Sequence, residues 1–451
     1  MSSTQTKKMG VIQLTIITAV NMMGSGIIML PTNLAKVGTI SILSWVVTAV
    51  CSLFLAYGFS RAGMFSKHGG GMGGYAEYTF GKEGSFMSNY TYAVSLVIAN
   101  IAIAVTTVGY LKGFIQGFNP DFTLNAIQTT MLTILIIWLT TILNFGGASI
   151  TGKIGSVTVW GVILPVVVVC VAGWFFFKGS DYVAAWNPHN ENFVSAVGSS
   201  ISITLWSFLG LESASANMDA VENPQKNVPI AVMGGTIATA IMYIISTNVI
   251  QGIVPNAQLA ASDSPFGLAF AQMFTPAVGT IVEGLMVLAC FGSLLGWQFT
   301  VAEVFRSSAN EGYFPKIFKK VTKSGAPVVG MCILLAVQTL LALMTMSPDL
   351  NKQFTALVDL AVVTNMVPYI LSMTSLKTIQ AEEGISKKQA KTTNILALIG
   401  AAYAIYAIIA SGVDSVFDGA IVIFVGWVIW GIIFYDKFDL KKGAQLKNVK
   451  A

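Results

Sequence analysis

The stretch Met22-Met23-Gly24-Ser25-Gly26-Ile27 interrupts an apolar run that extends from Met9 to Leu34. That run is long enough to cross a membrane, because about 20 apolar residues span a bilayer. Two glycines around a serine favour a backbone that leaves the helix. At membrane depth such a backbone is stable only where it is buried in protein or lines a cavity. The stretch therefore predicts a discontinuous transmembrane helix.

A second interruption, Trp206-Ser207-Phe208-Leu209-Gly210-Leu211-Glu212, lies inside the apolar run 196–217 and places a carboxylate there. Interrupted segments at corresponding places in the two halves of a chain are typical of secondary transporters, which bind substrate between them. The pair therefore predicts a binding site near the middle of the membrane.

The composition is that of an integral membrane protein. Of the 451 residues, 54% are hydrophobic and only 10% are charged, whereas soluble domains average about 25% charged residues. The four cysteines are isolated within apolar runs, so neither a metal site nor a disulfide framework is expected, and no cofactor is predicted. We predict an all-α protein with about twelve transmembrane segments, at Met9–Leu34, Ile40–Arg61, Phe86–Phe114, Leu124–Leu143, Ile154–Phe177, Ala196–Asn217, Ile230–Val254, Val278–Phe305, Val328–Met346, Phe354–Leu376, Asn394–Ala410 and Gly419–Tyr435.

The basic residues predict the orientation of these segments. With twelve spans and a cytoplasmic N-terminus, 21 of the 25 Lys and Arg residues fall on the cytoplasmic side. The positive-inside rule fixes orientation from this kind of bias. We therefore expect both termini, including a tail at 436–451, to be cytoplasmic.

The positions of the two interruptions also predict the internal organisation. They fall in the first and sixth spans, so a five-helix unit repeated once is inverted relative to itself. We expect the first repeat to end near residue 177 within a unit 9–217 that includes the broken sixth span. The second repeat would cover 196–376, followed by two peripheral helices in 394–435.

The chemistry of the interruptions suggests their ligands. Gly24, Ser25 and Gly26 precede a half-helix whose N-terminal end favours negative charge, such as an amino-acid carboxylate. The carbonyl groups up to Leu209 end a half-helix and favour a cation, and Glu212 adds a carboxylate that at this depth indicates function. The alternative is a helix-packing notch at the glycines and a structural ion pair at the acid.

Further residues are candidates for the same site. Trp206 and Trp297 offer aromatic faces for a cation. Tyr92 and Asn100 share one helical face, although Asn100 is equally suited to join two helices. Asp359 is a second candidate acid, unless it lies near the outer surface. Together these residues favour a cationic amino acid or a diamine as ligand.

The chain resembles the amino acid–polyamine–organocation transporters, and among them the basic amino-acid/polyamine antiporters. The resemblance implies a LeuT-like fold with a five-plus-five inverted repeat. It also implies binding roles for the residues named above, and it adds Glu77 and Trp430 as further candidates. Asp359 departs from the uncharged polar residue that the resemblance implies, and Trp430 from a tyrosine. The segments that carry it are NMMGSGIIMLP, GGMGGYAEY, NYTYAVSLVIAN, TLWSFLGLESA, VENPQKNVPIAV, STNVIQGIVPN, SPFGLAFAQMFTP, GSLLGWQFT and EGYFPKIF.

The resemblance implies an inner-membrane antiporter that exchanges external ornithine for internal putrescine by alternating access. Exchange of lysine for cadaverine or of arginine for agmatine, and proton-coupled uptake, remain alternatives. A membrane enzyme is disfavoured because both histidines lie in loops and no nucleophile–base set is evident. The paired interruptions also argue against a channel. The expected partners are small molecules, the bilayer and, as open alternatives, protons and a second copy of the chain; no nucleic acid is expected.

Overall fold

The computed structural model describes residues 10–23, 26–212, 221–347 and 349–434. Gly24 and Ser25 of the first interruption therefore lie outside the described residues, as do residues 213–220. Within the described ranges the regular structure is helical, without strands. The helices are α1 Val11–Met22, α2 Leu30–Val37, α3 Ser41–Phe65, α4 Met72–Gln116, α5 Ala126–Asn144, α6 Ala148–Thr158, α7 Trp160–Ala172, α8 Gly179–Ala184, α9 Phe193–Gly198, α10 Ile201–Trp206, α11 Pro224–Ile253, α12 Asn256–Ala260, α13 Pro265–Met273, α14 Pro276–Asn310, α15 Val328–Met344, α16 Leu350–Glu382, α17 Lys387–Ala410 and α18 Val413–Ile429.

The helices account for the predicted membrane spans. In the described part of the chain, nine helical segments are long and apolar enough to cross a bilayer, and three shorter apolar helices accompany them. The shorter ones are Val11–Val20, Phe193–Trp206 and Val328–Met344, in the predicted first, sixth and ninth spans. The prediction of an all-α membrane protein with about twelve spans is confirmed.

Both predicted interruptions are present as breaks in helical structure. In the first span α1 ends at Met22 and α2 begins only at Leu30. In the sixth span α10 ends at Trp206, and turns follow as far as Glu212. Continuous helices through these regions would have removed the basis for a binding site. The two breaks therefore support the predicted binding site between the first and sixth spans.

Helix ends differ from the predicted ones where a helix continues beyond the membrane. The range of α4 contains a kink at Gly81, whose backbone is not helical (φ 64°, ψ −159°). A short helical piece that starts at Met72 in the glycine-rich connection meets there the helix of the third span, which is predicted to begin at Phe86. By contrast, α16 extends without such a kink to Glu382, beyond the predicted Leu376. Hydropathy marks the lipid-facing length of a helix, and polar residues can prolong it outside that zone.

The centre of the bundle is formed by α4 and α16. In the most apolar part of α4, 89% of the residues are buried, against 61% in α16 and 17% in the last span, Val413–Ile432. Hydrogen bonds at Ser95 join α4 to α16: Ser95 Oγ donates to the Ala361 carbonyl (2.9 Å) and Asn365 Nδ2 donates to Ser95 Oγ (3.1 Å). These central helices form two walls of the site described next.

Candidate binding site at the two helix interruptions

The two interruptions are linked through a tyrosine of α11. The hydroxyl of Tyr243 lies 2.5 Å from the carbonyl oxygen of Met22 and 3.1 Å from that of Ser207. Tyr243 is fully buried, so its hydroxyl replaces water as the donor to carbonyl groups at the ends of α1 and α10. The fold thereby satisfies one backbone acceptor of each interruption with a single side chain.

The two interruptions also pack directly on each other. A Cβ atom at Gly26 would lie 3.2 Å from the Ser207 Cα atom, so glycine permits the close approach of the two backbones. Ser207 Oγ is within 3.4 Å of the Gly26 carbonyl oxygen. Farther along the first interruption, the Tyr110 hydroxyl of α4 donates to the Ile28 carbonyl (2.9 Å). The irregular backbone is therefore buried in protein, as membrane depth requires.

A cavity lies where these interruptions meet α4, α14 and α16. We call it the central cavity; its volume is about 40 Å³, enough for only a few water molecules. Six predicted residues line it: Gly26, Tyr92, Trp206, Leu209, Glu212 and Trp297. Its other lining residues are Met22, Ser95, Leu96, Ala99, Ile103, Gly210 and Asn365. The residues of both interruptions thus surround one space, together with side chains from the third, eighth and tenth spans.

Glu212 is the charged group of this cavity and is only 6% exposed. Its Oε1 accepts a hydrogen bond from the Tyr92 hydroxyl (2.9 Å), and its Oε2 accepts from the Tyr369 hydroxyl (2.5 Å) and the Gly210 N–H (3.0 Å). Among the described residues no Lys, Arg or His forms an ion pair with it. Neutral donors therefore hold the carboxylate, and its charge is available to a cationic ligand.

Glycine is required at the turn that places Glu212. Gly210 has φ +103°, a left-handed conformation that costs other residues about 1–2 kcal/mol. Its N–H points back to the carboxylate two residues later. Four residues before Gly210, the Trp206 ring makes an edge-on contact with Phe354 at a centroid distance of 5.4 Å. The short segment from Trp206 to Glu212 thus supplies an aromatic wall, a donor and an acid to one cavity.

A larger cavity of about 310 Å³ adjoins the central cavity. Tyr92 and Trp297 line both, and the larger cavity continues between α6 and the middle of α14. Its polar lining consists of hydroxyl groups, including those of Thr151, Ser156 and Thr300. Because α6 begins on the same face of the bundle as α1 under the twelve-span arrangement, this cavity lies between that face and the central cavity.

Asn100 takes part in a separate amide network. Its Nδ2 donates to Gln298 Oε1 (3.2 Å), and Gln298 Nε2 donates to Gln338 Oε1 (2.7 Å). All three side chains are buried, and none lines the central cavity. The network joins the third, eighth and ninth spans, as expected from the alternative in which Asn100 connects helices.

The three additional candidates lie away from the central cavity. Asp359 accepts a hydrogen bond from Ser202 Oγ (2.6 Å), which joins α16 to α10. Glu77 pairs with Lys82 near the start of α4 and accepts from the Tyr313 hydroxyl (3.1 Å). The Trp430 ring packs on Phe86 at a centroid distance of 5.2 Å. None of the three lines the central cavity, and Gly24 and Ser25 lie outside the described residues.

Sequence reasoning missed the tyrosines that complete the site. Tyr369 is a donor to Glu212, and Tyr243 bridges the interruptions. Both are polar residues inside apolar helices, a signal that was available because a buried tyrosine hydroxyl needs a partner. The partner of such a tyrosine can be far away in the sequence: Tyr369 and Glu212 are more than 150 residues apart. No local sequence pattern encodes a contact of that kind.

The molecule combines helices long enough to span a membrane with a cavity between two broken helices. Together these features define a multi-pass membrane permease. The amino acid permease family model matches residues 9–433, so the chain belongs to that family. It is 61% identical to "Putrescine transporter PotE" of Haemophilus influenzae over 98% of this chain and 100% of the relative. The protein of the same name from Escherichia coli K12 is 59% identical over 98% and 99%. "Cadaverine/lysine antiporter" of the same strain is 33% identical over 82% and 83%.

Proposed function

We propose that the chain is a secondary-active antiporter that exchanges ornithine for putrescine by alternating access. Near-full-length similarity to putrescine transporters at 59–61% identity supports putrescine as the diamine over cadaverine, since the cadaverine/lysine antiporter named above is 33% identical. The enzyme alternative is set aside because the family and these relatives are transporters.

The observation that carries the proposal is the buried carboxylate of Glu212. It faces the central cavity, and only neutral donors contact it among the described residues. Its three hydrogen bonds come from neutral groups, and an ammonium group would complete its electrostatic environment. The aromatic face of Trp206 or Trp297 contributes about 0.5–2 kcal/mol more to a cation placed over it.

The two substrates would use different parts of the site. Ornithine would place its carboxylate near the N-terminal end of α2 and its amino groups near the carbonyl groups after Trp206 and near Glu212. Putrescine lacks a carboxylate and would bind through its ammonium groups alone. The central cavity of about 40 Å³ must widen to admit either one, and Tyr92 and Trp297 are placed to move because they separate it from the larger cavity.

We also propose how the chain is oriented and divided into repeats in the membrane. The 21-to-4 bias of Lys and Arg supports cytoplasmic termini in a bacterial inner membrane. The breaks in the first and sixth spans support a LeuT-like inverted repeat, with units 9–217 and 196–376 and two peripheral helices in 394–435. The counterflow experiment described next separates this exchange from proton-coupled uptake.

Counterflow in liposomes tests the exchange. Vesicles preloaded with putrescine, cadaverine or agmatine receive labelled ornithine, lysine or arginine outside. We expect ornithine uptake into putrescine-loaded vesicles to exceed every other combination, and empty vesicles to take up little. A lysine–cadaverine maximum would overturn the substrate pair. If empty vesicles under an imposed pH gradient take up as much ornithine as putrescine-loaded vesicles do, proton symport replaces exchange as the proposed function.

A further inference from the structure

A polar cavity of about 360 Å³ lies on the face of the bundle opposite the start of α1. It is formed where α2 and α4 end and α16 begins, and we call it the outer cavity. It shares no lining residue with the central cavity. Its charged and amide side chains are Lys36, Lys112, Asp263, Asp349 and Asn351. Both signs of charge therefore face one space outside the site already described.

One ion pair in the outer cavity is already complete. Lys112 Nζ lies 2.9 Å from Asp263 Oδ2, and Asn351 Nδ2 donates to Asp263 Oδ1 (3.1 Å). Both carboxylate oxygens of Asp263 are therefore engaged. Because Asp263 precedes α13, this pair ties that helix to α4 and α16.

The other ammonium and carboxylate of the outer cavity are not paired with each other. Lys36 Nζ donates to Asn33 Oδ1 at 3.3 Å and has no ion pair within 4.0 Å in the described ranges. Asp349 Oδ1 accepts the N–H groups of Asn351 and Lys352 at the start of α16, whereas no described residue donates to its Oδ2. Lys36 and Asp349 are nevertheless close enough to interact electrostatically.

A buried acceptor accompanies this separated pair. Asn351 is 6% exposed, and its Oδ1 has no hydrogen-bond partner among the described residues. A buried amide oxygen without a donor is destabilising unless a ligand or water supplies one. The outer cavity thus presents an anion-binding group, a cation-binding group and an unused acceptor together.

We propose that the outer cavity is a docking site for the zwitterionic head group of a free α-amino acid. Lys36 binds the carboxylate, Asp349 Oδ2 binds the α-ammonium, and Asn351 Oδ1 accepts a further N–H. Carboxylate and ammonium groups attached to one carbon match a cation and an anion that face each other across a gap. A diamine lacks the carboxylate and would bring positive charge toward Lys36 and Lys112, so this cavity discriminates against it.

The docking site rests on the proposed function in that its ligand would be the amino acid taken up at this face. The eight residues of α2 correspond to about 12 Å at 1.5 Å per residue. Lys36 is near the end of α2, and Gly26 of the central cavity precedes its start. An amino acid released from Lys36 would therefore travel about the length of α2 to reach the central cavity.

Cysteine protection measures occupancy of the outer cavity without requiring transport. Ala261 is exposed and lines this cavity. The full-length Ala261→Cys protein, with Cys51, Cys170, Cys290 and Cys332 replaced by alanine, is reacted in liposomes with a membrane-impermeant thiol reagent. We expect ornithine to slow the labelling several-fold and putrescine, at equal concentration, to leave it unchanged. Protection should persist with Glu212→Gln, which disables the central site.

Two charge-removing variants and a matched control identify the groups. Lys36→Gln and Asp349→Asn should each raise the ornithine concentration for half-protection about tenfold or more, because hydrogen bonds between charged groups are lost. Asparagine at 349 preserves the helix cap, so this variant should retain the fold. Lys178→Gln removes an exposed charge outside the cavity lining and should change nothing.

The same proteins separate the docking site from the proposed function. If putrescine protects as well as ornithine, or if both variants behave like Lys178→Gln, the docking site is refuted even where exchange is normal. If ornithine protects and the two variants weaken its protection while wild-type vesicles show no ornithine–putrescine exchange, the docking site stands and the proposed function fails.

Discussion

Glu212 holds its position through three neutral donors, Tyr92, Tyr369 and Gly210. Its charge is thus separable from its packing, and glutamine keeps the shape while removing the charge. We expect Glu212→Gln to leave the amount of folded protein within about twofold of wild type and to reduce putrescine exchange about 100-fold, because a buried charge pair is worth several kcal/mol. Counterflow at matched protein amounts measures this.

The control for Glu212→Gln is Glu311→Gln, which removes an exposed carboxylate at the end of α14. It should exchange putrescine at the wild-type rate. Normal kinetics in Glu212→Gln would instead remove this residue from the binding site.

Gly210 couples backbone conformation to the site. Alanine at φ +103° should destabilise the protein by about 1–2 kcal/mol and turn the N–H away from Glu212, so KM for putrescine should rise. Thermal unfolding and exchange kinetics report the two effects. Gly179→Ala serves as the control, because a Cβ atom at Gly179 would meet no heavy atom within 4 Å and its φ is not positive. Equal effects of the two variants would contradict the role given to Gly210.

At the scale of elements, the sequence predicted the helices better than the contacts between them. Apolar runs located the twelve segments, and glycine with serine or glutamate located both interruptions. The end of α16 at Glu382 was missed because polar residues continue a helix outside the lipid. The helical piece that starts at Met72 and meets the third span at the Gly81 kink was missed as well. Six residues predicted for the site do line the central cavity. Tyr243 and Tyr369 were not found, because their partners are set by how distant helices pack.

Tyr243 holds the two helix interruptions together, because its hydroxyl lies within hydrogen-bond distance of a carbonyl group in each. Tyr243→Phe leaves buried carbonyl groups of Met22 and Ser207 without this donor, which should cost about 1–3 kcal/mol. We expect a lower unfolding temperature and slower exchange, measured on the same detergent-purified protein before and after reconstitution. Tyr406→Phe, at a 37% exposed ring, should change neither. Wild-type stability in Tyr243→Phe would show that the interruptions are held by other contacts.

At the scale of the whole molecule, charge transfer follows from the proposed stoichiometry. Near neutral pH putrescine carries two positive charges and ornithine one, so one-for-one exchange moves a net positive charge outward with the diamine. A potential of 100 mV, negative inside, opposes this by about 2.3 kcal/mol. The equilibrium ratio of the two substrates across the vesicle should therefore shift about 50-fold.

A potassium gradient with valinomycin sets that potential in liposomes, and labelled substrates report the final distribution. Vesicles without the potential are the control. An unchanged distribution would mean that another ion, such as a proton, compensates the charge.

The position of Tyr92 carries a consequence for leakage. Its ring is part of the partition between the central and the larger cavity, while its hydroxyl is fixed by the carboxylate that would receive the cargo. Under the proposed exchange, a diamine ammonium that takes Oε1 would displace the phenol and free the ring to rotate. A carrier without cargo would then keep that passage shut, and the cell would lose no solute through idle turnover.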